Sequence, residues 1–150
     1  MSQSLARVLL HLTFSTKHRK PWIDKPIRSE LNAIFASTLQ KWECPAILVG
    51  SVDDHIHALF ALSRNYAIKT IVEEVKKVSS KWIKTKGRKY AEFHWQAGYG
   101  IFSVSQSNAC RVRAYIANQE EHHRRRSFQD ELRALLKRHQ LPFDERYVWD

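Results

Sequence analysis

The segment AILVGSVDDHIHALFAL, residues 46–62, decides the fold. Residues 46–52 and residues 55–62 are two short apolar runs, and the turn residues Asp53 and Asp54 separate them. Apolar runs of this length on either side of a turn predict two antiparallel strands joined in a β-hairpin. We therefore expect the sheet of this protein to contain this hairpin.

One strand and one helix are predicted on each side of the hairpin. Before it, residues 7–15 are β-prone, and a helix with apolar residues at helical spacing runs from an N-cap at Asp24 to Trp42. After it, Asn65 is the predicted cap of a second helix, and residues 101–105 form a fourth strand. The order β-α-β-β-α-β predicts an α+β, ferredoxin-like fold, in which an antiparallel sheet has helices on one face.

Two further helices are predicted after the fourth strand. The first runs from about residue 107 to residue 122. The second begins at a capping box, Ser127-x-x-Asp130, and ends near Arg138. The aromatic segment 141–150 is expected to pack back against the rest of the chain. We interpret residues 1–150 as one domain.

The charge of the chain indicates a polyanionic partner. Twenty-five Lys and Arg residues stand against 15 acidic residues, which gives a net charge of +10 and a pI near 9.9. Such an excess is typical of proteins that bind nucleic acid, although a basic protein without such a partner is the simpler alternative. The stretch from residue 76 to 89 contains no acid and seven basic residues: Lys76, Lys77, Lys81, Lys84, Lys86, Arg88 and Lys89.

Other features of the sequence exclude several protein classes. The two cysteines form no CxxC pair, so neither a disulfide framework nor a zinc site of that type is predicted. The apolar runs are too short to span a bilayer, and the N-terminus lacks the pattern of a signal peptide. We expect a cytoplasmic protein with no membrane partner.

The motif Asp54-His55-Ile56-His57 is the sharpest chemical signal in the sequence. Residues two apart in a strand point to the same face, so the two imidazoles are predicted to project side by side. They can then bind one metal ion together, although the same spacing also fits ordinary polar residues on a strand face. Asp54 is either an orienting partner of a histidine or only a turn residue.

A second signal lies in the helix predicted after the fourth strand. Tyr115 and Gln119 are four residues apart, which places their side chains one above the other on a helix. Tyr115 also lies at the flank of the apolar stripe formed by Val112 and Ile116. A tyrosine at that position is often no more than a boundary residue of an amphipathic helix.

Taken together, these segments resemble the single-tyrosine HUH transposases, small enzymes of the HUH endonuclease superfamily that move the simplest bacterial insertion sequences as single-stranded DNA. The resemblance extends over nearly the whole chain and includes the order and spacing of its motifs. The matching segments are GSVDDHIHALF (50–60), EEVKKVSSKWIK (73–84), FHWQAGYGIFSVS (93–105) and VRAYIANQEEHH (112–123).

The resemblance implies a role for four residues. His55 and His57 would bind Mg²⁺ or Mn²⁺, Gln119 would be the third protein ligand, and Tyr115 would be the nucleophile that forms a 5′-phosphotyrosine. It also implies DNA hairpins as substrates and a homodimer in which the tyrosine helix of one subunit completes the site of the other. The roles of His122 and His123 stay open.

The expected DNA-binding residues are basic or aromatic. Phosphates would be bound by side chains of the basic run, and unpaired bases would stack on loop aromatics. Trp82 lies on an apolar helix face and is more compatible with the core. The predicted DNA-binding residues are Lys76, Lys77, Lys81, Lys84, Arg88, Trp95 and Tyr99.

Three functions remain open from the sequence. The first is a transposase that cleaves and rejoins single-stranded DNA. The second is a domesticated HUH endonuclease that acts on host repeat hairpins, whereas 150 residues are few for a replication initiator or a relaxase. The third is a non-catalytic nucleic-acid-binding module on the same fold, as in domains that stack bases on the aromatics of a sheet.

Overall fold

A computed structural model describes residues 2–150 and contains one four-stranded sheet. Three short 3₁₀ turns, Lys17–Arg19, Arg88–Tyr90 and Gln106–Asn108, lie between the main elements. The strands are β1 (Leu9–Ser15), β2 (Ala46–Ser51), β3 (His55–Ala61) and β4 (Gly100–Val104). The helices are α1 (Lys25–Lys41), α2 (Ile68–Lys84), α3 (Ala109–Ala117), α4 (Gln119–Arg125) and α5 (Phe128–Arg138).

The sheet has the strand order β2-β3-β1-β4, and every neighbouring pair is antiparallel. Val52 N donates to His55 O across the β2–β3 turn, at 3.1 Å. This closes the hairpin that the two apolar runs predict. The predicted ferredoxin-like α+β fold is confirmed.

The main core lies between one face of the sheet and the pair α1 and α2. Alternate residues of β1 and β3 supply the strand side of this core, because side chains of a strand alternate between its two faces. The buried strand residues are Leu10, Leu12 and Phe14 of β1 and Ile56, Ala58 and Phe60 of β3.

The opposite face of the sheet is covered by the C-terminal elements. Phe102 of β4 packs there with Phe128, Leu132 and Leu136 of α5 in a smaller hydrophobic cluster. Phe143, Val148 and Trp149 pack against the same cluster, as expected for the aromatic C-terminal segment. His11, His55 and His57 belong to this face, since they alternate with the core residues of their strands.

Two helix predictions need correction. The helix expected over residues 107–122 is interrupted at Asn118, whose φ of −99° and ψ of 22° separate α3 from α4. Asparagine is a weak helix former, because its side chain competes for backbone hydrogen bonds. Asn65 does not cap α2, which begins at Ile68, because its amide instead donates to Glu43 Oε2 at 2.7 Å.

Of the predicted capping box at the start of α5, the Ser127 cap forms, whereas the Asp130 carboxylate accepts from Arg133 Nη1 at 3.1 Å. Ser127 Oγ accepts a hydrogen bond from Asp130 N at 3.1 Å. This cap fixes the first turn of α5, which places Glu131 over the sheet. No helix of residues 2–150 is both long enough and apolar enough to cross a lipid bilayer.

Candidate metal centre and active site

His55 and His57 lie side by side at the start of β3, as the strand period predicts. Both side chains are fully buried, and their ring centroids are 5.2 Å apart. They lie on the face that α3, α4 and α5 cover. Two buried imidazoles need polar partners, because an unpaired polar group in a core costs free energy.

The Nδ1 atom of each histidine contacts a polar side chain. His55 Nδ1 lies 2.6 Å from Asp54 Oδ1, and His57 Nδ1 lies 2.7 Å from Nε2 of the buried His11. Such contacts fix the tautomer and orientation of a metal-binding histidine. Of the two roles considered for Asp54, its contact supports that of an orienting partner, and His11 is a second orienting residue that the sequence analysis did not identify.

The Nε2 atoms face inward, towards side chains of α4 and α5. His55 Nε2 lies 3.0 Å from Gln119 Oε1 and 3.2 Å from Glu131 Oε2. His57 Nε2 lies 3.1 Å from Glu131 Oε1 but is not aligned for a hydrogen bond with it. The break at Asn118 turns Gln119 into this space, where it is 3% exposed.

These side chains fit a divalent cation. His55, His57 and Glu131 offer ligand atoms that all lie within 4.8 Å of one another, and Gln119 adds an amide oxygen beside them. His57 Nε2 is a buried nitrogen without a hydrogen bond, which a metal ion would satisfy. Two imidazoles with a carboxylate suit Mn²⁺ better than Mg²⁺, which prefers oxygen ligands.

Tyr115 of α3 reaches the same group of side chains. Its hydroxyl donates a short hydrogen bond to Glu131 Oε1, and Gln119 Nε2 donates to the same oxygen at 3.0 Å. The phenol ring stands perpendicular to the His57 ring, at 5.8 Å between centroids. One chain therefore brings all four residues implied by the family resemblance into one cluster.

The ionisation of the cluster follows from burial and mutual contact. Burial acts to raise the pKa of Glu131, but contacts with His55 and His57 outweigh it and lower that pKa well below its usual range. Burial likewise acts to lower the pKa of His55, but Asp54 and Glu131 raise it to about 9. Burial and the Glu131 charge raise the pKa of Tyr115, so the phenol is protonated at neutral pH.

His122 and His123 lie at the edge of this cluster. The His122 ring is 4.7 Å from the Tyr115 ring, between centroids. His123 Nε2 lies 2.8 Å from Asp53 Oδ1 and 3.8 Å from Asp54 Oδ1. Asp54, His55 and His123 thus form a second set of possible ligands, next to the first.

Glu131 is the main residue that sequence reasoning missed. The signal for it is a charged residue on the apolar stripe of α5, between Phe128 and Leu132. A buried carboxylate requires a partner, and here the two histidines and Tyr115 provide it. His11 gives a similar signal, since it is a buried polar residue within the apolar run of β1.

Some of the predicted DNA-binding residues are exposed, and others are bound within the protein. Lys77, Lys81, Lys84 and Arg88 are exposed on α2 and just beyond it. The helix α2 packs against the main core, which is on one side of the sheet, whereas His55 and His57 are on the other side. These basic residues and the two histidines are therefore on opposite sides of the sheet. A strand bound to both regions would have to pass around an edge of the sheet.

Lys76 does not belong to that exposed group. Its Nζ donates to three backbone oxygens, those of Gln96, Ala97 and Gly98, at 2.8 to 3.0 Å. Burial lowers the pKa of Lys76 to about 8. All three ammonium hydrogens are in use, so its contacts do not support the expected role in phosphate binding.

Trp95 also differs from the expectation of a base-stacking residue. It is 8% exposed, packs perpendicular to Phe14 and Phe93, and donates from Nε1 to Ser79 Oγ at 2.9 Å. Its ring is therefore part of the core. Tyr99 is 40% exposed, and Lys76 Nζ lies 5.6 Å from its ring centroid. Trp82 is half-buried against the core, as its apolar face predicts.

The fold and the site together define a ferredoxin-like domain with a candidate metal centre and an adjacent tyrosine. The chain belongs to the family described as "Transposase IS200 like", because residues 4–119 match the model of that family. Membership places it among transposases, enzymes that cleave DNA. No curated protein sequence is significantly similar to this chain.

Two solved structures share the fold. One is a provisionally assigned transposase from Deinococcus radiodurans R1, with 19% identity, a TM-score of 0.62, and coverage of 79% of this chain and 98% of that chain. The other is a REP-associated tyrosine transposase bound to a REP hairpin. It has 13% identity, a TM-score of 0.59, and coverage of 82% of this chain and 74% of that chain.

Proposed function

We propose that this protein cleaves and rejoins single-stranded DNA at hairpin-bearing element ends through a phosphotyrosine on Tyr115. The single observation that carries the proposal is the position of the Tyr115 hydroxyl. It donates to Glu131, the same carboxylate that lies between His55 and His57. A scissile phosphate beside the phenol would then also be beside the candidate metal ligands.

The proposed chemistry exchanges one phosphodiester for another. The Tyr115 oxygen forms a bond to phosphorus, the bond from phosphorus to the 3′ oxygen breaks, the phenol loses its proton, and the 3′ oxygen gains one. The phosphodiester is conserved on the protein, so the 3′ hydroxyl of another strand can reverse the step. This conservation is what a strand-transfer enzyme requires and a hydrolytic nuclease lacks.

A divalent ion, Mn²⁺ or Mg²⁺, would be held by His55, His57 and Glu131 with Gln119. When bound, it would supply Lewis-acid polarisation of a phosphate oxygen. Asp54 and His11 hold the two imidazoles so that both Nε2 atoms face the same point. The residues of the chain thereby prearrange the ligands before substrate binds.

The proposed substrate is single-stranded DNA that folds into hairpins. The structure of the REP-associated tyrosine transposase, bound to a REP hairpin, motivates this choice, as do the exposed Lys77, Lys81, Lys84 and Arg88. The same similarity also keeps the second candidate open, a domesticated enzyme that acts on host repeat hairpins. Terminal hairpins flanking the gene would favour the first candidate, and scattered repeats elsewhere would favour the second.

The family resemblance implies a homodimer with shared active sites, and dimerisation stays a prediction. All the distances given above join residues of one chain, so we propose that Tyr115 acts together with His55 and His57 of its own subunit. Mixing Tyr115→Phe and His57→Ala chains distinguishes the two arrangements. Activity returns in the mixture only if subunits share their sites.

Covalent capture on a denaturing gel tests the proposed function. Hairpin-bearing single strands from the flanks of the gene are incubated with protein and a divalent ion. A strand labelled 3′ of the cut should migrate with the protein, and a strand labelled 5′ of the cut should not. Tyr115→Phe removes one oxygen and little packing, so it should abolish the adduct and retain hairpin binding.

Tyr147→Phe is the matched control, because Tyr147 is 65% exposed and its ring lies against the Arg146 guanidinium. It should form the adduct as the wild type does. An adduct that persists in Tyr115→Phe, or that maps to another tyrosine, would show that the assignment is wrong.

A further inference from the structure

A small cavity lies beside Tyr115 and Glu131, whose side chains are hydrogen-bonded to each other. Its volume is about 100 Å³, and its lining includes His11, Tyr115, Arg126, Glu131, Ala134 and Arg138. Sites that enclose a whole small molecule usually measure at least about 300 Å³, so this cavity has the size for a charged group rather than a nucleoside. Its position against the phenol makes it an approach to the proposed nucleophile.

The cavity wall on α5 is a regular helix face. Glu131, Ala134 and Arg138 occupy positions i, i+3 and i+7, which lie on one side of a helix. Glu131 and Arg138, at the two ends of this face, both line the cavity. Ala134 between them has only a methyl group and leaves the space open.

Two guanidinium groups give the cavity an excess of positive charge. Within residues 2–150, neither Arg126 nor Arg138 forms an ion pair, whereas Arg124, Arg125 and Arg133 all pair with carboxylates. Arg126 Nη2 donates a hydrogen bond to the backbone oxygen of Asp130, at 3.2 Å.

Glu131 is the acidic group in the cavity lining. Its carboxylate already accepts from Tyr115 and Gln119 and contacts both histidines. The two arginines are therefore left to bind an anion from outside the chain.

We propose that Arg126 and Arg138 bind the scissile phosphate in this cavity and position it for attack by Tyr115. The inference rests on the proposed function and names the subsite that the function needs. Arginine matches phosphate oxygens with paired, charge-assisted hydrogen bonds. The two residues would also stabilise the charge on the phosphate oxygens while the Tyr115–phosphorus bond forms and the bond to the 3′ oxygen breaks.

Anion binding by the free protein is the first test, and it does not depend on cleavage. Inorganic phosphate is titrated into the ¹⁵N-labelled protein while the arginine side-chain Nε–H signals are followed by NMR. The signals of Arg126 and Arg138 should shift and saturate at the same phosphate concentration. The Arg138 signal should no longer respond in the Arg126→Gln variant, and the Arg126 signal should no longer respond in the Arg138→Gln variant. Shifts no larger than those of Arg124 and Arg125 would overturn the proposal.

Cleavage of a charge-modified substrate is the second test. With the natural phosphodiester, Arg126→Gln and Arg138→Gln should each slow single-turnover adduct formation by about a hundredfold to a thousandfold, as expected for loss of one transition-state donor. A methylphosphonate at the scissile position has no charge, so it should slow the wild type strongly and the two variants much less. Lys137→Gln is the matched control, a neighbouring exposed cation that is not in the cavity lining.

Each result has a separate meaning. Variants that cleave the natural strand at the wild-type rate, or a neutral linkage that slows wild type and variants by the same factor, would overturn the phosphate subsite. If the wild type forms no adduct with any strand while phosphate still shifts both arginines, the proposed function fails and the anion site stands. An unchanged free energy of unfolding of the variants excludes misfolding as the cause of a slow reaction.

Discussion

Residues 4–119 and residues 120–150 contribute to the candidate site in different ways. The first region matches the transposase family and supplies His55, His57, Tyr115 and Gln119. The second lies outside that match and supplies Glu131, which contacts all four. Recognisable motifs therefore mark the proposed reacting groups. The carboxylate that contacts all of them, that of Glu131, lies on α5, outside the family match.

The C-terminal region also covers part of the site. The Phe128 ring is 5.0 Å from the His55 ring, and the His139 ring stacks on Phe102 at 4.7 Å, between centroids. A side chain at Gly100 would meet Leu132 at 2.8 Å, so α5 lies directly on β4 at that point. Electrostatic contacts between buried groups such as His55 and Glu131 are stronger than the same contacts in water.

The largest predicted effect comes from removing the histidines of the first region. His55→Ala together with His57→Ala should lower the rate of adduct formation more than about a hundredfold. Changing a residue that only orients a metal ligand typically costs about tenfold to a hundredfold, and loss of two ligands should cost more. The wild type should show the same loss when EDTA removes the divalent ion. The measurement is the single-turnover rate of the gel assay at fixed Mn²⁺.

His94→Ala is the control, because His94 is exposed and lies outside the cluster. Hairpin binding by the double variant should persist, because the exposed lysines of α2 are on the other sheet face. A double variant that cleaves at an undiminished rate would exclude these histidines as the metal site.

Glu131→Gln is predicted to have the next largest effect and tests the second region directly. The amide keeps the shape of the side chain and removes the charge between His55 and His57. Mn²⁺ should then be needed at about tenfold to a hundredfold higher concentration for half-maximal adduct formation, with much of the rate recovered at saturation. A titration of the rate against Mn²⁺ measures both quantities.

Glu120→Gln is the matched control on α4. Glu120 is exposed, and Arg28 is its charged partner, at 3.4 Å. It should leave the Mn²⁺ requirement unchanged. If Glu131→Gln and Glu120→Gln require the same Mn²⁺ concentration, then Glu131 is not a ligand and the two regions do not share the metal site.

The fold could be predicted almost entirely from the sequence. The hairpin signal is local, since two apolar runs and a turn occur within residues 46–62, and the flanking helices have clear periodicity. The pairing of His55 and His57 follows from the strand period alone. These features depend on residues that are close in the chain, so no tertiary information is needed.

The remainder of the site depends on contacts that are distant in sequence. Glu131 meets His55 across 76 positions, and no spacing rule connects α5 to β3. The break at Asn118 decides where Gln119 points, and the spacing of apolar residues does not predict it. The carbonyls that bind Lys76 belong to a loop whose path the sequence does not specify. Lys76 was therefore predicted to bind DNA at the surface, although its ammonium group is bound within the protein.

The smallest predicted effect separates two neighbouring lysines of α2, both within the family match. Lys77 is exposed, and it forms an ion pair with Glu74 on the same helix. Lys77→Gln should therefore weaken binding of single-stranded hairpin DNA, and it should reduce the slope of log affinity against log salt by roughly 0.7 if one phosphate contact is lost. Its free energy of unfolding should stay nearly constant.

Lys76→Gln should show the opposite pattern, because its charge is already bound by the carbonyls of Gln96, Ala97 and Gly98. Removing the ammonium leaves acceptors of a partly buried loop unpaired, which costs about 1–3 kcal/mol of folding free energy. Urea unfolding should detect that loss, while the salt slope of DNA binding stays near the wild-type value. If Lys76→Gln flattens the slope as much as Lys77→Gln does, then Lys76 leaves the loop to bind phosphate. The sequence-based interpretation of the whole basic run would then be correct, and the contacts of the free protein would not describe the DNA-bound one.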